Sequence, residues 1–214
     1  MLCGCLWGVA SWLNGLRGCM EYGLSDAMQR YIIHLMNHDY TSADASWLLG
    51  KARGLVSDIG VVVRDSRVAK RHLEFDTSIP QNMSIDEVIH RLKTISSLSG
   101  YDLIIEKKLD KPQAIMKARE LFNDEMYWGA HEVLEPIWKE AHSEEKEVLN
   151  GIILIAAAFV HDEKNESSTC IAILKRAMNK LIQANGLYFG FDLDEIKRRV
   201  LEIIDSGKIE RFAI

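Results

Sequence analysis

Residues 148–160 read VLNGIILIAAAFV, an apolar run interrupted only by Asn150 and Gly151. A helix of this composition is hydrophobic on every side, so we expect it to be buried on nearly all sides. The run is shorter than the roughly 20 apolar residues that a membrane-spanning helix needs. The sequence therefore predicts a buried central helix around which neighbouring helices pack, and no membrane span.

Helical patterning surrounds this run and extends from Lys111 to the end of the chain. Capping residues precede the predicted helices, because their side chains can accept hydrogen bonds from free backbone N–H groups. Start signals stand at Asp110, Ser143, Ser167 and Asp192, and glycine stop signals at Gly186 and Gly207. These signals predict an all-α helical bundle domain over residues 109–214.

The N-terminal half alternates between strand and helix patterns. Strands are predicted at 31–36, 61–63, 68–77 and 101–105, and helices at 45–56 and 85–95, with the hairpin turn at Asp65 and Ser66 and a helix stop at Gly100. The order βαββαβ is typical of a ferredoxin-like domain, with both helices on one face of an antiparallel sheet. We therefore predict an α+β fold in which residues 22–108 form this domain.

Residues 1–21 differ from the rest of the chain. They are apolar and rich in glycine, and Arg17 follows the apolar stretch instead of preceding it as in a secretory signal. We expect a disordered or translation-start extension ahead of Met20. Three of the four cysteines crowd this segment and Cys170 stands alone, which does not suggest a disulfide framework. A reducing, cytoplasmic location is the expectation.

One predicted helix carries the residues best suited to chemistry. His131 and Glu135 are four positions apart, so their side chains can meet on one helix face, beside Glu132. Imidazole and carboxylate groups ligate divalent metals or transfer protons. The candidate catalytic residues are His131, Glu132 and Glu135. The candidate ligands of a divalent metal ion are His131, Glu135 and His161. No residues suggest another cofactor.

A structural interpretation competes with this one. The spacing departs from the zinc-protease H-E-x-x-H motif, because Glu135 stands where a second histidine is needed. The same side chains can form a buried hydrogen-bonded network that ties helices together. That structural polar cluster includes Trp138, Asn150 and Asn165.

The segment from Phe122 to about Leu181 resembles the family catalogued as domain of unknown function 309. The resemblance rests on Phe122, Asn123, Tyr127, Ala130-His131-Glu132, Leu134-Glu135, Trp138, Gly151, His161 and Asn165. It implies a compact helical fold that gathers these polar residues, and it implies no known activity. Glu125 replaces a glycine that the family tends to have in a turn, and Asn150 replaces a glutamine.

Three functions fit the sequence. The leading interpretation is a non-enzymatic interaction or scaffold module that binds an unknown protein partner and whose His/Glu/Trp cluster is structural. The alternative is a metal-dependent, hydrolase-like enzyme using His131, Glu132, Glu135 and His161. A further alternative is an RNA-associated adaptor, in which nucleic acid would contact the basic hairpin residues Arg64, Arg67, Lys70 and Arg71. The formal net charge of −5 argues against a general affinity for phosphate backbones.

Overall fold

The computed structural model describes residues 28–104 and 109–214 of the 214-residue chain. The predictions made for residues 1–21 lie outside the described residues. An N-terminal antiparallel sheet with helices is followed by a helical region, which confirms the α+β class.

The N-terminal region contains four strands and two α-helices. Their bounds are β1 Met28–Met36, α1 Ala45–Val56, β2 Val62–Val68, β3 His72–Pro80, α2 Ile85–Leu92 and β4 Leu98–Leu103, with a short 3-10 turn at Ser42–Asp44 before α1. The strands lie in the order β2-β3-β1-β4, and each neighbouring pair is antiparallel. The order of elements along the chain is the predicted one.

The two faces of this sheet differ in chemistry. Side chains alternate between faces along a strand, so Ile33, Leu35 and Phe75 lie on one face and pack with the apolar residues of α1 and α2. The residues between them form the other face. We call His34, Arg67, His72, Glu74 and Asp76 the polar face, and all five side chains are buried.

Two predicted boundaries in this region were wrong. Asp65 and Ser66 lie within β2, and the hairpin turns at residues 69–71 instead. The Ser66 hydroxyl donates to the carbonyl of Ala45 at 2.7 Å, so a distant partner, and not a local turn, satisfies it. Gly100 does not end a helix either: it lies in β4, opposite His34 of β1.

The helical region contains five α-helices and a small hairpin. Their bounds are α3 Lys111–Asn123, α4 Tyr127–Glu140, α5 Ser143–Asp162, α6 Ser167–Leu181, β5 Leu187–Tyr188, β6 Phe191–Asp192 and α7 Leu193–Ser206. The predicted caps at Asp110 and Asp192 are confirmed, since both side chains accept a backbone hydrogen bond in the first turn. The hairpin was not predicted.

The apolar run 148–160 forms most of α5 and lies at the centre of the helical core, as predicted. Gly151 allows α6 to approach closely, because a Cβ at this position would lie 2.5 Å from Leu181 Cγ. Within 28–104 and 109–214, every helix is too short or too polar to cross a membrane.

Candidate functional site

The structure gathers three of the predicted site residues on α4. Ligand atoms of His131, Glu132 and Glu135 lie within 4.8 Å of one another, and all three side chains are half-buried. His131 Nδ1 lies 3.4 Å from Glu132 Oε1. One imidazole and two carboxylates at this spacing have the chemistry of a divalent-metal site.

In the part of the chain that the structure describes, only one contact of this group fits a structural role. Glu135 Oε1 pairs with Lys139 Nζ at 2.9 Å, so a local cation already compensates its charge. By contrast, His131 Nδ1 is buried and has no hydrogen-bond partner among the described residues, so a hydrogen-bonded network does not hold this atom there.

The remaining predicted residues are spread around the helical core. His161, the third predicted metal ligand, is not one of the three clustered residues, and its Nδ1 contacts Glu166 Oε2. The Trp138 indole nitrogen is buried and has no hydrogen-bond partner in the described part of the chain. Asn150 lies half-buried on α5, while Asn165 is exposed after the end of α5. The metal-binding and network roles of these residues stay predictions.

The helical region covers the polar face of the sheet. Arg67 is only 2% exposed: its Nε donates to Glu74 Oε1 at 2.5 Å, and its guanidinium lies 5.3 Å from the Trp128 ring centroid. Arg30 lies over the same ring, at 4.6 Å. The RNA-adaptor alternative requires the basic hairpin side chains, Arg67 among them, to be exposed to solvent. For Arg67 this expectation was wrong, because α4 supplies an aromatic partner that local sequence does not reveal.

The other basic hairpin residues also meet the helical region or the sheet. Arg71 Nη2 pairs with Asp124 Oδ1 at 2.7 Å, and the backbone N–H of Lys70 donates to Glu125 Oε2 at 2.7 Å. Arg64, although exposed, donates to the Ser78 hydroxyl. The four basic residues therefore do not form one exposed surface.

Glu125 explains one departure from the family pattern. It has a φ of 61°, the left-handed region that a glycine adopts freely and other residues adopt at a cost. Its carboxylate accepts from the Lys70 backbone and lies 3.4 Å from Arg211 Nη1. The contact with Lys70 joins the helical region to the sheet hairpin, and the contact with Arg211 lies within the helical region.

A buried acid lies at the same interface. Glu163 follows α5 and is 2% exposed, and its Oε1 lies 3.9 Å from Arg211 Nη1. Burial, and then the charge of Glu74, raise the pKa of Glu163 well above its usual value, while Arg211 and Arg67 act in the opposite direction. The structure therefore favours the protonated carboxyl at this position.

A second group of metal-ligating residues lies on the polar face, and sequence reasoning missed it. His34, His72 and Glu74 have ligand atoms within 4.8 Å of one another, and all three residues are buried. Burial lowers the pKa of His72, which favours its neutral imidazole. The sequence signal that could have revealed this group is strand alternation, because His72 and Glu74 lie on the same face of β3. A correct pairing of β1 with β3 would have placed His34 opposite them.

The hairpin of β5 and β6 exposes large apolar side chains. Leu187 is 79% exposed and Phe189 is 56% exposed. Phe189 and Gly190 form a two-residue loop with φ values of 47° and 91°. Positive φ at both positions is the pattern of a type I′ turn, which favours Asn, Asp or Gly first. Phe189 therefore occupies a position that disfavours bulky residues.

The base of this hairpin is held firmly. Phe191 is fully buried, and the Tyr188 hydroxyl donates to Glu145 Oε1 at 2.8 Å. The backbone N–H of Leu193 donates to the carbonyl of Gly186 at 3.0 Å, closing the loop at the start of α7. The exposed tip is thus presented on a fixed base.

Two surface depressions lie away from both metal-ligating groups. One is lined by Leu109 and by α3 residues including Met116. The other is lined by α7 residues including Arg199, and by Lys208 and Glu210 after the end of α7. Neither contains a residue of the His131 group or of the polar face.

Comparisons with known proteins concern the helical region. Residues 115–173 match the model of a family described as domain of unknown function 309, which confirms the resemblance over those residues. No curated protein matches the chain. A crystal structure of a conserved hypothetical protein from Thermus thermophilus is 27% identical, covers 42% of this chain and 94% of that chain, and has a TM-score of 0.38. The family match thus lies in the helices and excludes the sheet.

Proposed function

We propose that this protein is a non-enzymatic interaction module that binds a polypeptide partner through the tip of its C-terminal hairpin. Phe189 carries the proposal: a bulky, mostly exposed side chain occupies a backbone conformation that disfavours it. A left-handed conformation costs a residue with a Cβ about 1–2 kcal/mol. Strain of this kind is commonly retained where function requires the side chain.

The surroundings of Phe189 suit a docking surface. Ile182 and Leu187, close to it in sequence, are 64% and 79% exposed. Exposed apolar side chains mark protein contact surfaces where they form one patch, and the proposal places these three in such a patch. Because Phe191 and Tyr188 fix the hairpin base, little ordering would be needed on binding, which favours affinity.

A photo-crosslinking amino acid at position 187, introduced into the protein in its native cell, tests this proposal. The expected result is a discrete crosslinked polypeptide that is lost when Phe189→Asn is added. The matched control places the same amino acid at Met116, an exposed apolar residue of α3. No crosslink at position 187, or the same products from both positions, would contradict the proposal.

In this proposal the His131 group is structural and ties α4 into the helical core. The N-terminal region is a ferredoxin-like domain and residues 109–214 are a second domain; the antiparallel strand order β2-β3-β1-β4 supports the first assignment. A cytoplasmic location accords with Cys170, which is free and buried.

A metal-dependent hydrolase-like enzyme is the second candidate, because His131, Glu132 and Glu135 bring three ligand atoms within 4.8 Å. Its test is hydrolysis of activated esters and phosphodiesters by the zinc-treated protein. The interaction proposal predicts equal background rates for the wild type and His131→Ala. A rate that depends on zinc and is lost in His131→Ala would establish the enzyme instead.

A further inference from the structure

We propose that His34, His72 and Glu74 bind a divalent transition-metal ion, with zinc as the reference ion, between the sheet and the helical region. Two imidazoles and one carboxylate form the ligand set that zinc uses when it keeps a fourth position for water. This site is separate from the His131 group and from the hairpin, so it does not depend on the interaction function.

Strand pairing places the three side chains together. His34 of β1 lies directly opposite Glu74 of β3, and His72 lies two residues along β3, on the same face. The His34 and His72 rings meet edge to face with centroids 5.6 Å apart. Because all three residues are on adjacent strands of one sheet, the backbone holds them at a fixed spacing.

The distances are close to those that coordination requires. Ligand atoms around a tetrahedral zinc ion, with bonds of roughly 2.0–2.1 Å, lie about 3.4 Å apart. His34 Nδ1 and Glu74 Oε2 are 3.9 Å apart, and all three ligand atoms lie within 4.8 Å. Closing the set around an ion therefore requires the ligand atoms to approach one another by up to about 1.4 Å.

His34 Nδ1 is the observation that points to a ligand. The side chain is 6% exposed, and Nδ1 has no hydrogen-bond partner among the described residues. A buried nitrogen without a partner costs about 1–3 kcal/mol, so such atoms are uncommon unless something else binds them. A metal ion would satisfy this nitrogen.

The residues around the group orient it for this role. Asp102 Oδ2 lies 3.3 Å from His34 Nε2, so a proton on Nε2 can be donated to the carboxylate, leaving the Nδ1 lone pair free. A carboxylate behind a ligating histidine is a common second layer of metal sites. Arg67 likewise holds Glu74 Oε1, while Oε2 lies on the side of His34.

Titration of the chelator-treated full chain with Zn²⁺ by calorimetry, and with Co²⁺ by visible absorption, tests the proposal. We expect one equivalent to bind, with loss of that binding in His72→Gln and Glu74→Gln. Asp102 has a side chain 70% exposed, so Asp102→Asn should fold normally and weaken affinity about 10–100-fold. Asp58→Asn, at a similarly exposed ion pair, is the control and should bind as the wild type does.

The variant His131→Gln shows which of the two metal-ligating groups binds the ion. It should leave zinc binding unchanged. The proposal is overturned if the wild type binds no ion. It is also overturned if Asp102→Asn binds as tightly as the wild type while His131→Gln loses the ion, because the site would then lie on α4.

Discussion

Arg67 and Glu74 form an ion pair beneath the helical region, with Nε and Oε1 2.5 Å apart and the two residues 2% and 4% exposed. Breaking such a pair from one side leaves an uncompensated buried charge, which costs about 3–5 kcal/mol. Arg67 also stacks on Trp128, so it joins the sheet to α4. The pair therefore joins β2 to β3 within the sheet, and the contact of Arg67 with Trp128 connects it to the helical region.

Arg67→Ala is expected to lower the free energy of unfolding by about 3–5 kcal/mol, because Glu74 would lose its charged partner in a buried setting. Urea unfolding followed by circular dichroism measures the loss. Arg64→Ala, in an exposed residue of the same strand, is the control and should change stability by less than about 0.5 kcal/mol. If both substitutions lowered the free energy of unfolding equally, the buried ion pair would contribute no more to stability than an exposed arginine does.

Glu163 is expected to make stability depend on pH. The pKa of Glu163 is raised in the folded protein from its ordinary value of 4.5. When the pH rises above 4.5, the unfolded chain therefore loses this proton at a lower pH than the folded protein does. Between that value and the raised pKa, the folded state binds more protons and the free energy of unfolding falls as pH rises.

Glu163→Gln should remove this contribution. The stability of the variant relative to the wild type should increase as pH rises from about 4.5 through the window set by the raised pKa. Urea unfolding of both chelator-treated proteins across a pH series measures the difference. A difference that stays constant or shrinks with pH would show that Glu163 is charged in the folded protein.

Gly151 and Gly129 form a matched pair of helical glycines. A Cβ on Gly151 would lie 2.5 Å from Leu181 Cγ, whereas one on Gly129 would lie 3.4 Å from Leu121 Cδ1. Overpacking a core costs about 1–3 kcal/mol, while alanine gains up to about 1 kcal/mol over glycine in helices. We expect a lower Tm for Gly151→Ala and an unchanged or higher Tm for Gly129→Ala. The opposite order would show that Leu181 moves aside freely.

Apolar periodicity predicted most of the elements correctly, because burial of one face is a local pattern. Helix α1 begins and ends at the predicted residues, and the Asp110 and Asp192 caps operate within one turn of chain. The hairpin turn was misplaced because Ser66 finds its partner at Ala45, in a distant part of the chain.

The candidate sites also divide into those that local sequence patterns predict and those that depend on distant contacts. The residues of α4 could be grouped from their spacing alone, since one helix turn brings them together. The pairing of His34 with Glu74 depends on strand register, and the burial of Arg67 depends on Trp128, which lies 61 positions away in the chain. Contacts between regions arise from tertiary packing, and local patterns do not contain them.

The hairpin tip tests the account most directly, through the Tm of Phe189→Asn. Asparagine suits the first position of a type I′ turn, and Phe189 does not. If the phenylalanine is kept for partner binding, its replacement should raise Tm by about 2–4 °C, the shift expected for roughly 1 kcal/mol in a chain of this size. A lower Tm would show that Phe189 stabilises the fold, and would contradict the interaction function.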